Sequence, residues 1–489
     1  MKRRAISVSL AFFALGLGLS SAANLRLAGS LDPSFGNGGT VTHSSGSTNG
    51  IVVQPDGKIV VAGGSFLARY LPNGSPDPSF GDDGYVETHV GSSADAVAMQ
   101  PNGKVVVAGS SPTTNSNFQS AFALARYNPD GSLDSSFGTG GITDTVIPER
   151  ASPSFAGADA LAILPSGDIL AGGTAGFQND ATSLSSSSFA LARYKPDGSL
   201  DPTFGDNASG IVQTRFDGDP ALYGIAVRLD GKIVATGTAF GPGHGLTFER
   251  MVIARYTPDG ALDPTFGASG KVASPATLNY FGGPSTTVRD GKIAVAGETH
   301  KDYPVLGRYT GGGRLDSTFG RHGFRKITRF VGGSTAVLAQ EDGKILVGVT
   351  LAGSEGPKGG VVARLTANGR LDPTFGTKGI VSLSGAVAAT ALALQADRKI
   401  LVGGGSSSNG AVLSRLIGGN NCVVPDLRGE TVSKAGARLR HADCRRGRVS
   451  KRFSRSLSRG RVISTAPSAG ARLPGGAKVD LVVSKGKRP

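Results

Sequence analysis

The sequence predicts an all-β fold: a seven-bladed β-propeller of four-stranded repeats, followed by a small α+β unit. Three observations predict it. A six-residue phrase recurs seven times, as LDPSFG at Leu31, PDPSFG at Pro76, LDSSFG at Leu133, LDPTFG at Leu200 and Leu262, LDSTFG at Leu315 and LDPTFG at Leu371. Successive phrases start 45 to 67 residues apart, too far for a leucine-rich or helical-pair unit and suited to one small antiparallel sheet each. Between phrases the apolar residues fall in short β-branched runs without helical periodicity, in a chain with 75 Gly, 26 Pro and no Trp.

Each unit reads the same way. After the phrase comes a Gly-rich turn and a short run such as GGTVT at Gly38 or SGIVQT at Ser209. Two strands follow around a bend, as in IVVQPDGKIVVAG from Ile51 and AVAMQPNGKVVVAG from Ala96. The bends carry Asp56-Gly57, Asn102-Gly103, Asp230-Gly231, Asp290-Gly291 and Asp342-Gly343, the dipeptides favoured in a two-residue hairpin turn because both central residues take positive φ. Ser166-Gly167 is a weaker turn, and Asp397-Arg398 lacks the glycine. A fourth run closes the unit, as FLARY at Phe66, FALARY at Phe122 and Phe189, MVIARY at Met251, VLGRY at Val305, VVARL at Val361 and VLSRL at Val412. Four strands in each of seven units suit radial blades whose sheet edges stay short. A β-helix is the structural rival, but its coils are shorter and lack the repeated tight hairpin. The segment from Ala23 through the first phrase aligns with the end of the other units, so the two chain ends are expected to overlap and close the ring.

The L-D-x-S/T-F-G phrase, the Q-P-D-G-K-I-V-V-A-G hairpin and the A-R-Y run, recurring in that order, resemble the delta-60 repeat of bacterial secreted proteins. The resemblance covers about Leu31 to Leu416 and implies a propeller. It implies no activity, because propellers host unrelated functions and the site must carry the claim.

Residues 1–23 open with Lys2, Arg3 and Arg4, continue through AISVSLAFFALGLGL and end in SSAA, the pattern of a secretory signal peptide. A retained anchor is the rival reading, although the apolar run is shorter than the ~20 residues of a spanning helix. No later stretch is apolar enough to cross a bilayer, so no membrane span is expected after cleavage. The organisation read from the sequence is therefore a signal peptide over 1–23, the propeller over 24–418 and a basic module over 419–489.

Charge separates the last two. From Cys422 onward there are 17 Lys or Arg against 4 Asp or Glu, which accounts for +13 of the chain's +15. Cys422 and Cys444 are the chain's two cysteines. In an exported chain they read as one disulfide, stabilising a small domain by about 3 kcal/mol. A zinc site would ordinarily need four ligands, and only His441 lies near. VVPDLRGET leads into VSKAGARLRHA, where Val432, Ala435 and Leu439 share a helix face behind a Thr431 cap. The strand-like runs GRVISTAPSAGARLPGG and AKVDLVVSKG follow. This opening, helix, core and closing V-x-L-x-V-S-K-G closely resemble a PASTA domain over Cys422 to Gly486. The resemblance implies association with peptidoglycan, as in the outer parts of bacterial serine/threonine kinases and penicillin-binding proteins. This copy is single and rich in arginine, and Arg445, Arg446, Arg448, Lys451 and Arg452 form the candidate wall-binding cluster for peptidoglycan or an anionic wall polymer.

Nothing in the chain spells catalysis. His43, His89, His244, His300, His322 and His441 are scattered, and no H-E-x-x-H or G-x-S-x-G occurs. Catalytic and metal-ligating residues are therefore expected to be absent, and no cofactor is expected; Asp82 and Asp83 lack the spaced ring of oxygens a calcium ion requires. The repeated Asp32, Asp201 and Asp372 precede a Ser/Thr-Phe-Gly turn in which a carboxylate bonds backbone amides two residues on. Phe35, Phe204 and Phe375 read as packing plugs between sheets. The once-per-unit Arg of A-R-Y is expected to pair with the Asp of the next phrase.

Differences between repeats point to one face. Longer connections, SPTTNSNFQS from Ser111, VIPERASPSFAG from Val146, TAGFQNDATSLSSSS from Thr174 and AFGPGHGLTFER from Ala239, fall opposite the hairpin turns. They suit a protein or glycan partner, and solvated linkers are the alternative. The leading functional reading is an exported, non-catalytic binding or scaffold protein, associated with the cell wall outside the cell. The alternatives are a secreted carbohydrate-active enzyme using the propeller funnel, and a binder of acidic polymers through the Arg-rich tail. Specific nucleic-acid binding is not expected, since the tail has one aromatic residue, Phe453, and no stacking platform.

Overall fold

The computed structural model describes residues 28–44, 46–91, 93–113, 120–148, 154–179, 184–205, 208–243, 246–275, 280–299, 302–351, 359–383, 388–406, 410–418, 422–442, 444–473 and 477–487. The expected signal peptide lies outside them.

Seven four-stranded antiparallel sheets form the blades, and a small two-sheet unit with one helix follows. Blade 1 runs from its inner strand Gly50–Val53 through Ile59–Gly63 and Phe66–Tyr70 to an outer strand, Tyr85–Glu87. The inner strands of blades 2 to 7 are Ala94–Met99, Ser154–Ile163, Asp219–Val227, Tyr280–Arg289, Gly332–Ala339 and Ala391–Leu394. Each inner strand touches the next, and the last touches the first, so the ring is closed. The core is divided among the seams. Between blades 1 and 2, for example, Val60, Leu67 and Phe80 pack on Val105, Val107, Ala123 and Ala125. Full burial of such a side chain stabilises by about 1.5–3 kcal/mol.

The structure corrects two details of the repeat. First, the run after each phrase is the outer strand of the preceding blade: Tyr85–Glu87 pairs with Phe66–Tyr70, and does not begin the following sheet. Each blade is thus offset from its sequence unit by one strand. Thr40–His43 therefore has its partner at the far end of the described propeller, pairing with Gly410–Leu416 through Thr40↔Ser414 and His43↔Ala411. Second, the two-residue turn occurs in blade 5, where Arg289 pairs with Lys292 and both Asp290 (φ 50°) and Gly291 (φ 73°) are left-handed. Blade 1 instead connects Val53 to Ile59 through Gln54–Lys58. There an added Pro55 precedes Asp-Gly, only Gly57 has positive φ (89°), and the Asp56 carboxylate accepts the Lys58 amide at 3.1 Å. In blade 7 Arg398 takes the glycine's place at φ 68°.

The phrase and the A-R-Y arginine together build the seams. Asp77 accepts the Ser79 amide and hydroxyl on one carboxylate oxygen, at 3.1 and 2.8 Å. Its other oxygen receives Arg69 Nε at 2.7 Å and Lys58 at 3.0 Å. The same guanidinium lies 4.6 Å from the centre of the fully buried Phe80 ring and donates to the carbonyl of Pro129 in the next blade. All seven blades repeat this arrangement, with Arg126 donating to Pro196, Arg193 to Pro258, Arg255 to Gly311, Arg308 to Ala367, Arg364 to Gly418 and Arg415 to Pro72. Blade 3 carries Asp168 where the others place the lysine, so Asp201 relies on Arg193 for its ion pair. The phrase-final glycine is required by space as well as by φ: at Gly81 (φ 53°) a Cβ would stand 2.2 Å from the Tyr85 carbonyl.

Closure uses the same parts. Arg415 pairs with Asp32 at 3.0 Å and stacks over Phe35 at 4.5 Å. Residues Ala28 to Ser30 supply the turn that blade 7 otherwise lacks: Gly29 donates to Ile417, Ile417 to Ser30, and Gly376 to Ala28. Deleting residues 24–43 removes this turn, the clamp aspartate and the outer strand at once. Calorimetry of that variant is expected to give a lower, broader transition than the full chain, and an unchanged melting curve would contradict the closure described here.

Candidate functional site

The repeated residues are committed to structure. Asp32, Asp201 and Asp372 are clamp carboxylates bound to Arg415, Arg193 and Arg364, and Phe35, Phe204 and Phe375 are fully buried beneath those guanidinium groups. Burial pushes the Asp32 carboxyl up. Hydrogen bonds from Ser34 and Lys399, with the charge of Arg415, outweigh it and hold the group at about 2. The other six phrase aspartates, buried but bonded in the same way, are also lowered. Sites for a partner therefore lie elsewhere.

One is the C-terminal unit. Thr431 caps the helix Val432–His441, whose Ala435 and Leu439 are fully buried. Opposite them pack Val462, Val479, Leu481 and Val483, with the joined Cys422 and Cys444 in the same core. The strand Arg445–Arg452 pairs in parallel with Lys478–Ser484 and forms the edge of its three-stranded sheet. Arg445, Arg446, Arg448, Lys451 and Arg452 are all exposed along it. A bulge between Arg446 and Val449 is held by the Asp480 carboxylate, which accepts the Arg448 amide at 2.7 Å. Exposed Phe453 follows the strand, with Lys485 over its ring at 5.5 Å. The cluster is thus one basic edge, where unpaired backbone groups and cations face the same solvent.

On the variable face, part of the insertions lengthens strands instead of forming loops. Thr174 onward extends blade 3 to Asn179↔Leu184, and Ala239 onward extends blade 4 to Gly243↔Leu246. Residues 114–119, 149–153, 180–183 and 244–245 of these segments lie outside the described residues.

A third feature escaped the sequence reading. All seven inner strands are disturbed or end at one register, just before the residue paired with Ala62, Ala108, Gly172, Thr236, Ala296, Gly348 or Gly403 of the neighbouring strand. The residues there are Asn49, Asp95, Asp159, Tyr223, Pro284, Thr335 and Thr390. Three of them reach across a seam: Thr335 to the Ala389 carbonyl at 2.5 Å, Thr390 to that of Thr48, and Asn49 to that of Ala94 at 3.2 Å. Asp95 and Asp159 hold the same position in adjacent blades, where a carboxylate has no proton to donate. Burial, reinforced by the Asp95 charge, raises Asp159 to about 7. Burial also raises Asp95, against the Ser93 hydroxyl at 2.8 Å. Lining up the seven hairpins by their second strand would have put these residues in one column.

With this geometry in hand, the class is a seven-bladed propeller joined to a small disulfide-bonded α+β module. The chain carries repeats of the domain of unknown function DUF5122 β-propeller, matched at residues 54–80, 100–137, 164–204, 229–266 and 340–375, and a C-terminal PASTA domain at residues 423–485. It is 35% identical over 69 residues to a probable serine/threonine-protein kinase of Clostridium acetobutylicum, covering 14% of this chain and 10% of that protein. It is similar at 32% identity to the extracellular region of the Ser/Thr kinase PrkC from Staphylococcus aureus, over 13% of this chain and 22% of that one, with a TM-score of 0.13. The extracellular domain of a putative hybrid two-component system from B. thetaiotaomicron aligns over 80% of this chain and 39% of its own, at 13% identity and a TM-score of 0.41. The chain thus spans about a tenth to two fifths of these proteins. The PASTA domain and the disulfide point to an extracellular location, and among the described residues no helix is long and apolar enough to cross a membrane.

The two sets of aspartates give stability opposite pH dependences. The lowered phrase aspartates contribute stability above their unfolded value of 3.8, lost as pH falls towards 2. Asp159 is raised, so its contribution is complete below 3.8 and is lost as pH rises through about 7. Asp159→Asn, which keeps a donor at every pH, is expected to melt higher than the native chain at pH 8 and to differ little from it at pH 4.5. Equal melting temperatures at pH 8 would show that the seam tolerates the charge.

Proposed function

We propose that this is an exported, non-catalytic binding protein. The PASTA domain holds it at the cell wall, through peptidoglycan and anionic wall polymer, and the propeller presents a platform to a protein or glycan partner. The observation that carries the reading is the exposed basic edge strand of the PASTA domain, with five cations on eight consecutive residues. An anionic polymer laid along that edge meets its cations in sequence, and the exposed backbone of an edge strand offers further hydrogen bonds. The propeller's phrase residues are spent on the seams, which leaves partner recognition to the face where the repeats differ.

Purified wall sacculi, with and without their anionic polymers, test the proposal. The full chain is expected to sediment with both preparations at low salt. A chain ending at Gly418 should not sediment, and a variant with Gln at Arg445, Arg446, Arg448, Lys451 and Arg452 should bind at least tenfold more weakly. At 1 M salt, where the Debye length is about 3 Å, binding to polymer-bearing sacculi should fall towards that of stripped ones. No binding of the full chain to either preparation, or equal binding by the shortened chain, would overturn the wall reading.

A further inference from the structure

The seam between blades 5 and 6 differs from the other six in two independent ways, and both remove volume from one place. The first is the hairpin turn of blade 5. Blades 1, 2, 3, 4, 6 and 7 carry a residue before the turn dipeptide, Pro55, Pro101, Pro165, Leu229, Glu341 and Ala396, which blade 5 lacks between Arg289 and Asp290. The second is the inner-strand residue paired with the first Ile or Val of the neighbouring strand. It is Val53, Met99, Ile163, Val227, Val288 and Leu394 in six blades, and Ala339 in blade 6. Val53, Ile163, Val227, Val288 and Leu394 pack into the hydrophobic cluster of their own seam. Ala339 opens that space, and the result is a cavity of about 450 Å³ lined by Ala294, Ala339, Ile345 and Ala367, with Thr318 and Asn368 at its mouth.

Three cations border this cavity, and two of them share one carboxylate. Lys292 and Arg308 both pair with Asp316, at 2.8 and 2.9 Å. Arg289 donates through Nη2 to the Glu341 carbonyl at 3.2 Å. Its Nε–H is buried without a hydrogen bond, 3.7 Å from the largely exposed Asp290 carboxylate. A buried donor without an acceptor is costly, and a carboxylate is the acceptor that suits a guanidinium best. We propose that the cavity is a binding site for a small carboxylic acid with a short apolar body, its carboxylate on Arg289 and its body on Ala339, Ile345 and Ala294. The volume falls in the range of small-molecule pockets, about 300–1,000 Å³. A free organic acid and the C-terminal residue of a peptide share this chemistry.

Isothermal titration of the full chain with hexanoate, with benzoate, and with N-acetyl-alanyl-leucine beside its C-terminal amide tests the site and separates the two sources. At least one acid is expected to bind, and which one binds identifies the source. The peptide amide is expected to bind at least tenfold more weakly than the peptide acid if the peptide is the ligand. Arg289→Gln, the residue type of blades 1, 2, 6 and 7, should weaken the acid at least tenfold. Ala339→Ile restores the bulk found in the other seams, so it should abolish binding while the chain melts no lower than the native one. The proposal is overturned if no acid binds at millimolar concentration, or if binding is unchanged in Ala339→Ile. It is equally overturned if binding is unchanged in Arg289→Gln.

Discussion

Everything else in the propeller rests on a buried guanidinium in each seam. It closes an ion pair with the phrase aspartate of its own blade, covers the phrase phenylalanine, and donates to a carbonyl of the next blade. In blade 6 the Arg364 side chain is 1% exposed and the Asp372 side chain 5%. Desolvating two such charges is costly. Their attraction offsets that only when the remaining donors and acceptors are satisfied as well. Here the aspartate takes a hydroxyl and an amide on one oxygen and one or two cations on the other, while the arginine spends its nitrogens on carboxylate, hydroxyl and carbonyl. The pair therefore works as a geometric device, fixing how far one blade stands from the next.

Because the contact runs from each blade to its successor, seven copies make a circuit, and the circuit explains why residues 28–43 belong to the last blade. The last blade has its arginine at Arg415 but its phrase, outer strand and turn at the other end of the chain. Ala28 to His43 supply all three. The same constraint separates structure from function: phrase residues that recur at every seam are occupied, and sites become available where a blade departs from the pattern.

Much of this was legible in the sequence. Seven phrases, the strand count, the overlap of chain ends, the Arg–Asp pairing and the helix face of the C-terminal unit are local patterns repeated in register. The offset between blade and sequence unit was not legible, because pairing of Tyr85–Glu87 with the preceding strand is a tertiary choice that alternation alone leaves open. The turn type was misread because Pro55 and its counterparts add a residue that the Asp-Gly signal does not report. Asp95, Asp159 and Ala339 look ordinary in isolation. Their meaning comes from what the other blades place at the same register, which the paired strands reveal. The basic cluster was readable as composition, but its placement on an edge strand depended on which neighbour Lys478–Ser484 leaves uncovered.

The most direct test of the clamp is a double-mutant cycle on Arg255 and Asp263, with stability measured by denaturant unfolding of the native chain, Arg255→Met, Asp263→Asn and the double variant. Asp263→Asn strands the buried Arg255, for which the general expectation is a loss of about 3–5 kcal/mol, whereas Arg255→Met leaves Asp263 bound to Lys232 at 2.7 Å and is expected to cost less. The account predicts that the double variant loses much less than the sum of the two, with a coupling of about 1–3 kcal/mol. Losses that add to within about 0.5 kcal/mol would mean that the two residues act independently, and that the seams are held by apolar packing alone.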